Sequence, residues 1–186
     1  MSANNLTRVV ALVGMPGSGK SEAAAVFEAN GFKRIRFGDI TDEGVKLKGL
    51  SLNEDSERLV REEYRKQYGM AAYAILNLPR IREALVHSNV VIDGLYSWEE
   101  YKYLKEKLSG NLLAVTVWSS PALRYKRLVD RKVRPLTMQQ AMSRDYAEIE
   151  NVNKGGPIAM ADYTIVNDST LESLVRLAKG IIKVIK

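Results

Sequence analysis

Eight residues near the N-terminus, Gly14-Met15-Pro16-Gly17-Ser18-Gly19-Lys20-Ser21, constrain this chain more than any other stretch. They fit G-x-x-x-x-G-K-[ST], a phosphate-binding loop, which arises by accident in roughly one chain in a hundred of this size. The context fits the spelling. Arg8-Val9-Val10-Ala11-Leu12-Val13 before the loop is short, apolar and β-branched, as a buried parallel strand should be. Glu22 to Ala29 after it is rich in helix formers. In such a strand–loop–helix unit the glycines admit backbone angles and a close approach that a Cβ would block. Successive N–H groups and the helix N-terminus then face an anion. Lys20 can reach the β- and γ-phosphates of a nucleotide, and the Ser21 hydroxyl can ligate Mg²⁺.

The 186 residues suit one domain with a sizeable core. No apolar stretch approaches the ~20 residues that span a bilayer. Met1-Ser2-Ala3-Asn4-Asn5 lacks the basic and apolar regions of a signal peptide, so a cytoplasmic protein without a membrane partner is expected. With no cysteine and one histidine, His87, disulfides and Cys- or His-rich metal sites are excluded. His87 reads as an exposed imidazole near a helix end. The net charge of +6 is spread along the chain without aromatic interleaving, which favours a polyanionic small molecule such as ATP over nucleic acid.

Alternating strand and helix patterns predict an α/β fold: a five-stranded parallel sheet flanked by helices, in three layers. Asn30-Gly31 stops the first helix, and Phe32 to Phe37 alternates apolar and basic residues as a more peripheral second strand. From 41 to 88 the chain is charged and helical, too long for an ordinary connection, and is expected to be a helical insert over a second substrate. Ser51-Leu52-Asn53-Glu54 would cap its first helix. Pro79 would kink or break the second, from about Met70 to Val86. Further strands are expected at Asn89–Asp93, Asn111–Trp118 and Asp162–Val166. Ser97, Ser120-Pro121, Thr137 and Ser169-Thr170 open helices, and the one that Thr137 starts should end by Gly155-Gly156-Pro157. The last helix turns Leu171, Leu174, Val175, Ala178, Ile181, Ile182 and Ile185 inward.

Ligands of open α/β sheets sit at the carboxyl ends of the strands, where Asp39 and Asp93 fall. Asp93, closing Val-Val-Ile-Asp, suits the water shell of a metal ion, and Asp39 could receive an acceptor's proton. Asp39 also precedes a helix, so it could equally be an N-cap.

Gly14 to Ser21, Gly31-Phe32, Gly38-Asp39, Asp93-Gly94 and the arginine helix Arg124 to Arg134 together resemble the nucleoside monophosphate kinase family of P-loop kinases. Ala161 to Asp168 with Leu171-Glu172-Ser173-Leu174 looks like the tail of dephospho-CoA kinases. Overall the chain is similar to an archaeal-type adenylate-kinase-related family. The resemblance implies ATP- and Mg²⁺-dependent phosphoryl transfer to a small, phosphate-bearing, nucleotide-like acceptor, dephospho-CoA or a nucleoside monophosphate. It implies Lys20, Asp39, Arg127 and Arg131 as catalytic residues, with a short lid at about 131–138. Gly14, Met15, Pro16, Gly17, Ser18, Gly19, Lys20, Ser21, Arg127 and Asn167 would take the nucleotide. Asp39, Arg61, Arg65, Asp93 and Arg134 would face the acceptor, and Ser21 and, through water, Asp93 the metal. Leu95-Tyr96-Ser97 stands where adenylate kinases follow Asp-Gly with Pro-Arg, and Ile40-Thr41-Asp42 also lacks their arginine, so the acceptor stays open. Two rival readings are a regulatory ATPase without a small acceptor and a kinase of nucleic-acid ends. A GTPase is disfavoured, because Asn153-Lys154-Gly155-Gly156 lacks the acid of a base-reading motif.

Overall fold

The computed structural model describes residues 8–133 and 135–185. Five parallel strands, β1 (Val9–Val13), β2 (Lys33–Arg36), β3 (Val90–Asp93), β4 (Leu112–Trp118) and β5 (Tyr163–Val166), lie in the order β2-β3-β1-β4-β5. β1 is buried throughout, and its alternate residues point to opposite layers. Val9, Ala11 and Val13 join Val90, Ile92, Leu112 and Ala114 on one face, while Val10 and Leu12 join Val91, Val115, Val117 and Ile165 on the other.

The second face is covered by α1 (Lys20–Ala29) through Ala23, Ala24 and Phe27. Beside it packs α9 (Leu171–Ile185) through Leu174, Ala178, Ile182 and Ile185, whereas Leu171, expected inside, is exposed. Thr170 caps α9 by accepting from the Ser173 N–H. The first face is covered by α4 (Ala72–Leu85) and α5 (Trp98–Lys107), which contribute Tyr73, Leu78, Ile81, Tyr101 and Leu104.

That assignment corrects the expected insert. Of residues 41–88, α4 belongs to the sheet's covering layer, since Ile81 is fully buried in the main core. α2 (Asp39–Leu47), α3 (Glu54–Tyr68) and the 3-10 turn Gly69–Ala71 precede α4, with Ile40 of α2 in the same core and Tyr64 and Tyr68 of α3 packed against it. α4 also runs unbroken through Pro79, with Leu78 and Ile81 on either side locked into the core. Asn53, not Ser51, caps α3, accepting from the Ser56 N–H at 2.9 Å. α2 and α3 meet closely: a Cβ on Gly44 would strike Val60 and Tyr64.

Three further helices complete the chain: α6 (Pro121–Asp130), α7 (Met138–Glu150) and α8 (Gly155–Ala159). Ser97 and Thr137 form the expected capping boxes on α5 and α7, and Pro121 opens α6. α7 ends at Glu150, before Gly155-Gly156-Pro157 as expected, and those three residues open α8; in a helix's first turn the missing proline N–H needs no partner. Among the described residues, no helix is long and apolar enough to cross a membrane.

Candidate active site

β1 neighbours both β3 and β4, while its helix α1 leads away to β2 at the sheet's edge. The connections therefore diverge at the carboxyl end of β1, leaving a crevice there, and the glycine loop closes over it. The loop's shape leaves no room for side chains. Gly14 lies at φ 144°, and a Cβ there would strike the Val117 carbonyl. Gly17 lies at φ 76°, and a Cβ would come within 2.7 Å of the Arg124 carbonyl oxygen. Both the angles and the closeness demand glycine. Ser18 is fully buried, with its Oγ unpartnered.

The loop is braced from behind. The Asn167 amide, past the end of β5, donates to the Ser18 carbonyl at 2.8 Å. Arg124 on α6 is buried and donates to the Pro16 carbonyl (3.1 Å) and the Ser119 carbonyl (3.1 Å). It also forks onto Asp145 of α7 at 2.9 and 2.6 Å. Arg127, expected as a phosphate clamp, has both terminal nitrogens engaged: it donates to Ser119 Oγ and to the Asn167 carbonyl, each at 3.0 Å. It ties the end of β4 to the end of β5, because Ser119 directly follows the one strand and Asn167 the other. Arg131 is the half-buried C-cap of α6, in extended conformation. Arg134, expected in the lid, lies outside the described residues.

At the mouth, the Lys20 ammonium donates to the Met15 carbonyl at 3.0 Å. Asp93, paired in register with Leu12 of β1, sits with one oxygen 3.5 Å from Ser21 Oγ. Its other oxygen accepts from Arg34 of β2 at 2.5 Å, a partner the sequence reading did not single out. Arg144 and Glu148 of α7 and Lys154, just before α8, lie close enough to act on the Lys20 charge. Glu148 accepts from Arg144 Nε at 3.2 Å and pairs with Lys154, whose ammonium also lies 4.8 Å over the Tyr96 ring. Lys154 is buried. None of these three was singled out by sequence as a site residue.

The titration of these groups follows from their crowding. Burial and then Lys154 push the Lys20 ammonium down to about 7, against the pull of Glu148 and Asp93. Burial also lowers Lys154, opposed by Glu148. For Glu148 burial acts upward, but Lys154 and Arg144 outweigh it and hold the carboxyl below its usual value. Burial drives the Tyr96 hydroxyl to about 12, with Glu148 and Asp93 adding to it. Glu100 is raised to about 7 by burial, although its Oε2 accepts from the N–H groups of Tyr96 (2.8 Å) and Ser97 (3.3 Å).

The acceptor candidates divide. Arg65 of α3 is half-buried and close enough to act electrostatically on Glu100 and Tyr73. Arg61 is paired within its own helix to Glu54 (2.6 Å) and Glu57 (3.5 Å). Asp39 opens α2 but caps nothing with its side chain; it pairs with Arg36 at 3.3 Å on the edge strand. That strand is separated from β1 by β3, which sets it about 10 Å to the side of the loop's strand. Tyr73 and Thr41 share a buried hydroxyl contact of 2.6 Å between α4 and α2.

A parallel sheet ordered β2-β3-β1-β4-β5, with this loop joining β1 to α1, defines a P-loop kinase fold. Solved structures agree: shikimate kinase from Bacteroides thetaiotaomicron superposes with a TM-score of 0.61 at 16% identity, covering 95% of this chain and 98% of that one. A gluconokinase from Sinorhizobium meliloti gives 0.58 at 19%, covering 96% and 94%. The chain belongs to the AAA domain family, which it matches over residues 10–151, and to the family of UPF0200 proteins. The UPF0200 protein of Sulfurisphaera tokodaii is 36% identical over 183 residues, 96% of this chain and 98% of the relative. That of Thermococcus kodakarensis is 36% identical over 168 residues, covering 88% and 90%.

Proposed function

We propose that this protein transfers the terminal phosphoryl group of ATP to a small, phosphate-bearing, nucleotide-like acceptor. The observation that carries the reading is the meeting of Lys20, Ser21 and Asp93 at the mouth of a loop closed to side chains. Such a loop turns its N–H groups to an anion, so the residues fit a nucleotide's phosphates. Ser21 Oγ and Asp93 Oδ1, both hard oxygens facing one gap, fit Mg²⁺ held directly by Ser21 and through water by Asp93. Mg²⁺ bound there would supply charge neutralisation on the transferring group.

The chain's own residues divide the remaining work. Lys20 and the loop amides hold the phosphates, and the charge they place on the terminal group is strongest where water is excluded. Arg144, near enough to Lys20 to act on its charge, can fork onto phosphate oxygens beside Arg127 and Arg131. Arg34 fixes the Asp93 carboxylate by a 2.5 Å bond, so that its other oxygen stays toward Ser21. Arg65 offers a cation on the α3 side for the acceptor's anionic group, and Asp39 accepts or orients the acceptor's hydroxyl proton.

The test is an ADP-release screen with ATP against dephospho-CoA, nucleoside monophosphates, nucleosides and short RNA, with Lys20→Ala as control. The reading expects release that depends on one acceptor class and falls by about 10²–10³ in the control. Slow hydrolysis indifferent to every acceptor would replace it with a regulatory ATPase.

A further inference from the structure

We propose that Glu148 is a positioning residue that presents the Arg144 guanidinium to the phosphate site, with Lys154 as the charge that lets a carboxylate stand there. The inference rests on the phosphate-binding reading of the loop. Arg144 and Glu148 are one turn apart on α7, and their contact uses Nε of the arginine. A guanidinium held by Nε keeps its two terminal nitrogens, the fork that grips phosphate oxygens, directed away from the helix. The Arg144 side chain is 48% exposed, so the fork is open to a ligand. Glu148, by contrast, is only 14% exposed, and a buried carboxylate beside a polyanion site would repel the ligand if uncompensated.

Lys154 removes that conflict. Its side chain is 1% exposed, its ammonium pairs with Glu148 and packs on Tyr96, and its N–H donates to the Glu148 carbonyl at 3.2 Å. Tyr96, on which the Lys154 ammonium packs at 4.8 Å, lies against Gly94, directly after Asp93, and this places the pair beside the end of β3 at the loop's mouth. Stability gives no reason for such a pair, since apolar residues of similar volume commonly hold a fold as well as a buried ion pair does. What the pair does, and apolar residues could not, is orient an exposed arginine while adding no net charge near the phosphates.

The experiment measures ATP affinity by calorimetry on the full chain: wild type, R144A, E148Q, K154M, R144A/E148Q and E148Q/K154M. Folding of each is checked by thermal melting. E148Q is expected to weaken ATP binding about tenfold, the scale of one charge-assisted contact. In the R144A background the same substitution should do little, because Glu148 acts through Arg144. K154M should weaken binding more than E148Q, and E148Q/K154M should recover part of that loss. The double variant has no uncompensated buried charge, so it keeps the test alive if K154M does not fold. Equal losses from E148Q with and without Arg144, or wild-type affinity in E148Q, would overturn the proposal while leaving the nucleotide reading intact. A wild-type chain that does not bind ATP, or binds it as well after Lys20→Ala, would remove both.

Discussion

The side-chain amide of Asn167 donates to the backbone carbonyl of Ser18 at 2.8 Å, joining the end of the last strand to the middle of the phosphate loop. Asn167 is buried, and a Cβ on Gly19 would collide with its amide nitrogen, so loop and brace are fitted to one another. Its backbone is engaged as well, donating to the Trp118 carbonyl and accepting from Arg127. Asn167→Ala would leave the Ser18 carbonyl without that partner and loosen the loop at its tightest point. The expected outcome is a loss of about 1–3 kcal/mol in stability, read by urea unfolding, with ATP affinity reduced beyond that of surface controls.

Arg124 and Asp145 support the same loop from the other side. Their forked pair is buried between α6 and α7, and Arg124 extends to the Pro16 carbonyl. Removing one partner leaves the other charged and uncompensated, so Arg124→Ala should destabilise by about 3–5 kcal/mol. Arg124→Lys should recover little, because an ammonium cannot reproduce two parallel bonds to Asp145 together with those to Pro16 and Ser119. Chemical unfolding of the two variants checks both expectations.

Much of this architecture was legible in the sequence, for identifiable reasons. The loop, its strand and its helix announce themselves because only glycine tolerates Gly14 and Gly17 as placed, and β1 is apolar on both faces because both faces are covered. The capping boxes at Ser97 and Thr137 were readable because each bond spans three residues. Ser51 and Asn53 offered two caps two residues apart, and local pattern could not choose between them. The helical period of Ala74, Leu78 and Ile81 was visible, but not that its apolar face lies on the sheet. Whether an arginine faces a ligand or a carbonyl is decided by distant chain, which is why Arg127 and Arg144 read alike and lie so differently. Lys154, in an Asn-Lys-Gly-Gly stretch, looks like a surface loop residue; its burial depends on Tyr96 and Glu148, which no local pattern connects to it.

Glu100 makes stability depend on pH. Burial raises its folded-state value to about 7 from an ordinary 4.5, so between those values the folded chain binds more protons than the unfolded one. Stability from this group is therefore fully present below about pH 4.5 and is lost as pH rises through about 7. Glu100→Gln keeps an oxygen for the Tyr96 and Ser97 N–H groups and removes the titration. Relative to wild type, the variant should gain on the order of 3 kcal/mol at pH 8 over its value at pH 4. Parallel unfolding curves at the two pH values measure that difference, and a constant offset would show Glu100 ionising normally.

Asp39 poses the sharpest question of role. Its side chain makes no capping bond at the start of α2, and its contact is the Arg36 pair, in which both side chains are about half exposed. An exposed pair of this kind contributes roughly 0–1 kcal/mol, so neither Asp39→Asn nor Asp39→Ala should unfold the protein. If Asp39 takes or orients the acceptor's proton, both variants lose kcat by about 10²–10⁴ while ATP binds as before, because the carboxylate is needed only at the chemical step. The amide is the informative replacement. It keeps the shape and can still accept a hydrogen bond from Arg36, yet it cannot hold a proton at neutral pH. Measuring kcat, ATP affinity and melting temperature on the two variants, with whichever acceptor the ADP screen finds, decides the role. Full turnover in Asp39→Asn would transfer the proton-accepting duty to Asp93, which already stands beside Ser21 with Arg34 holding it in place.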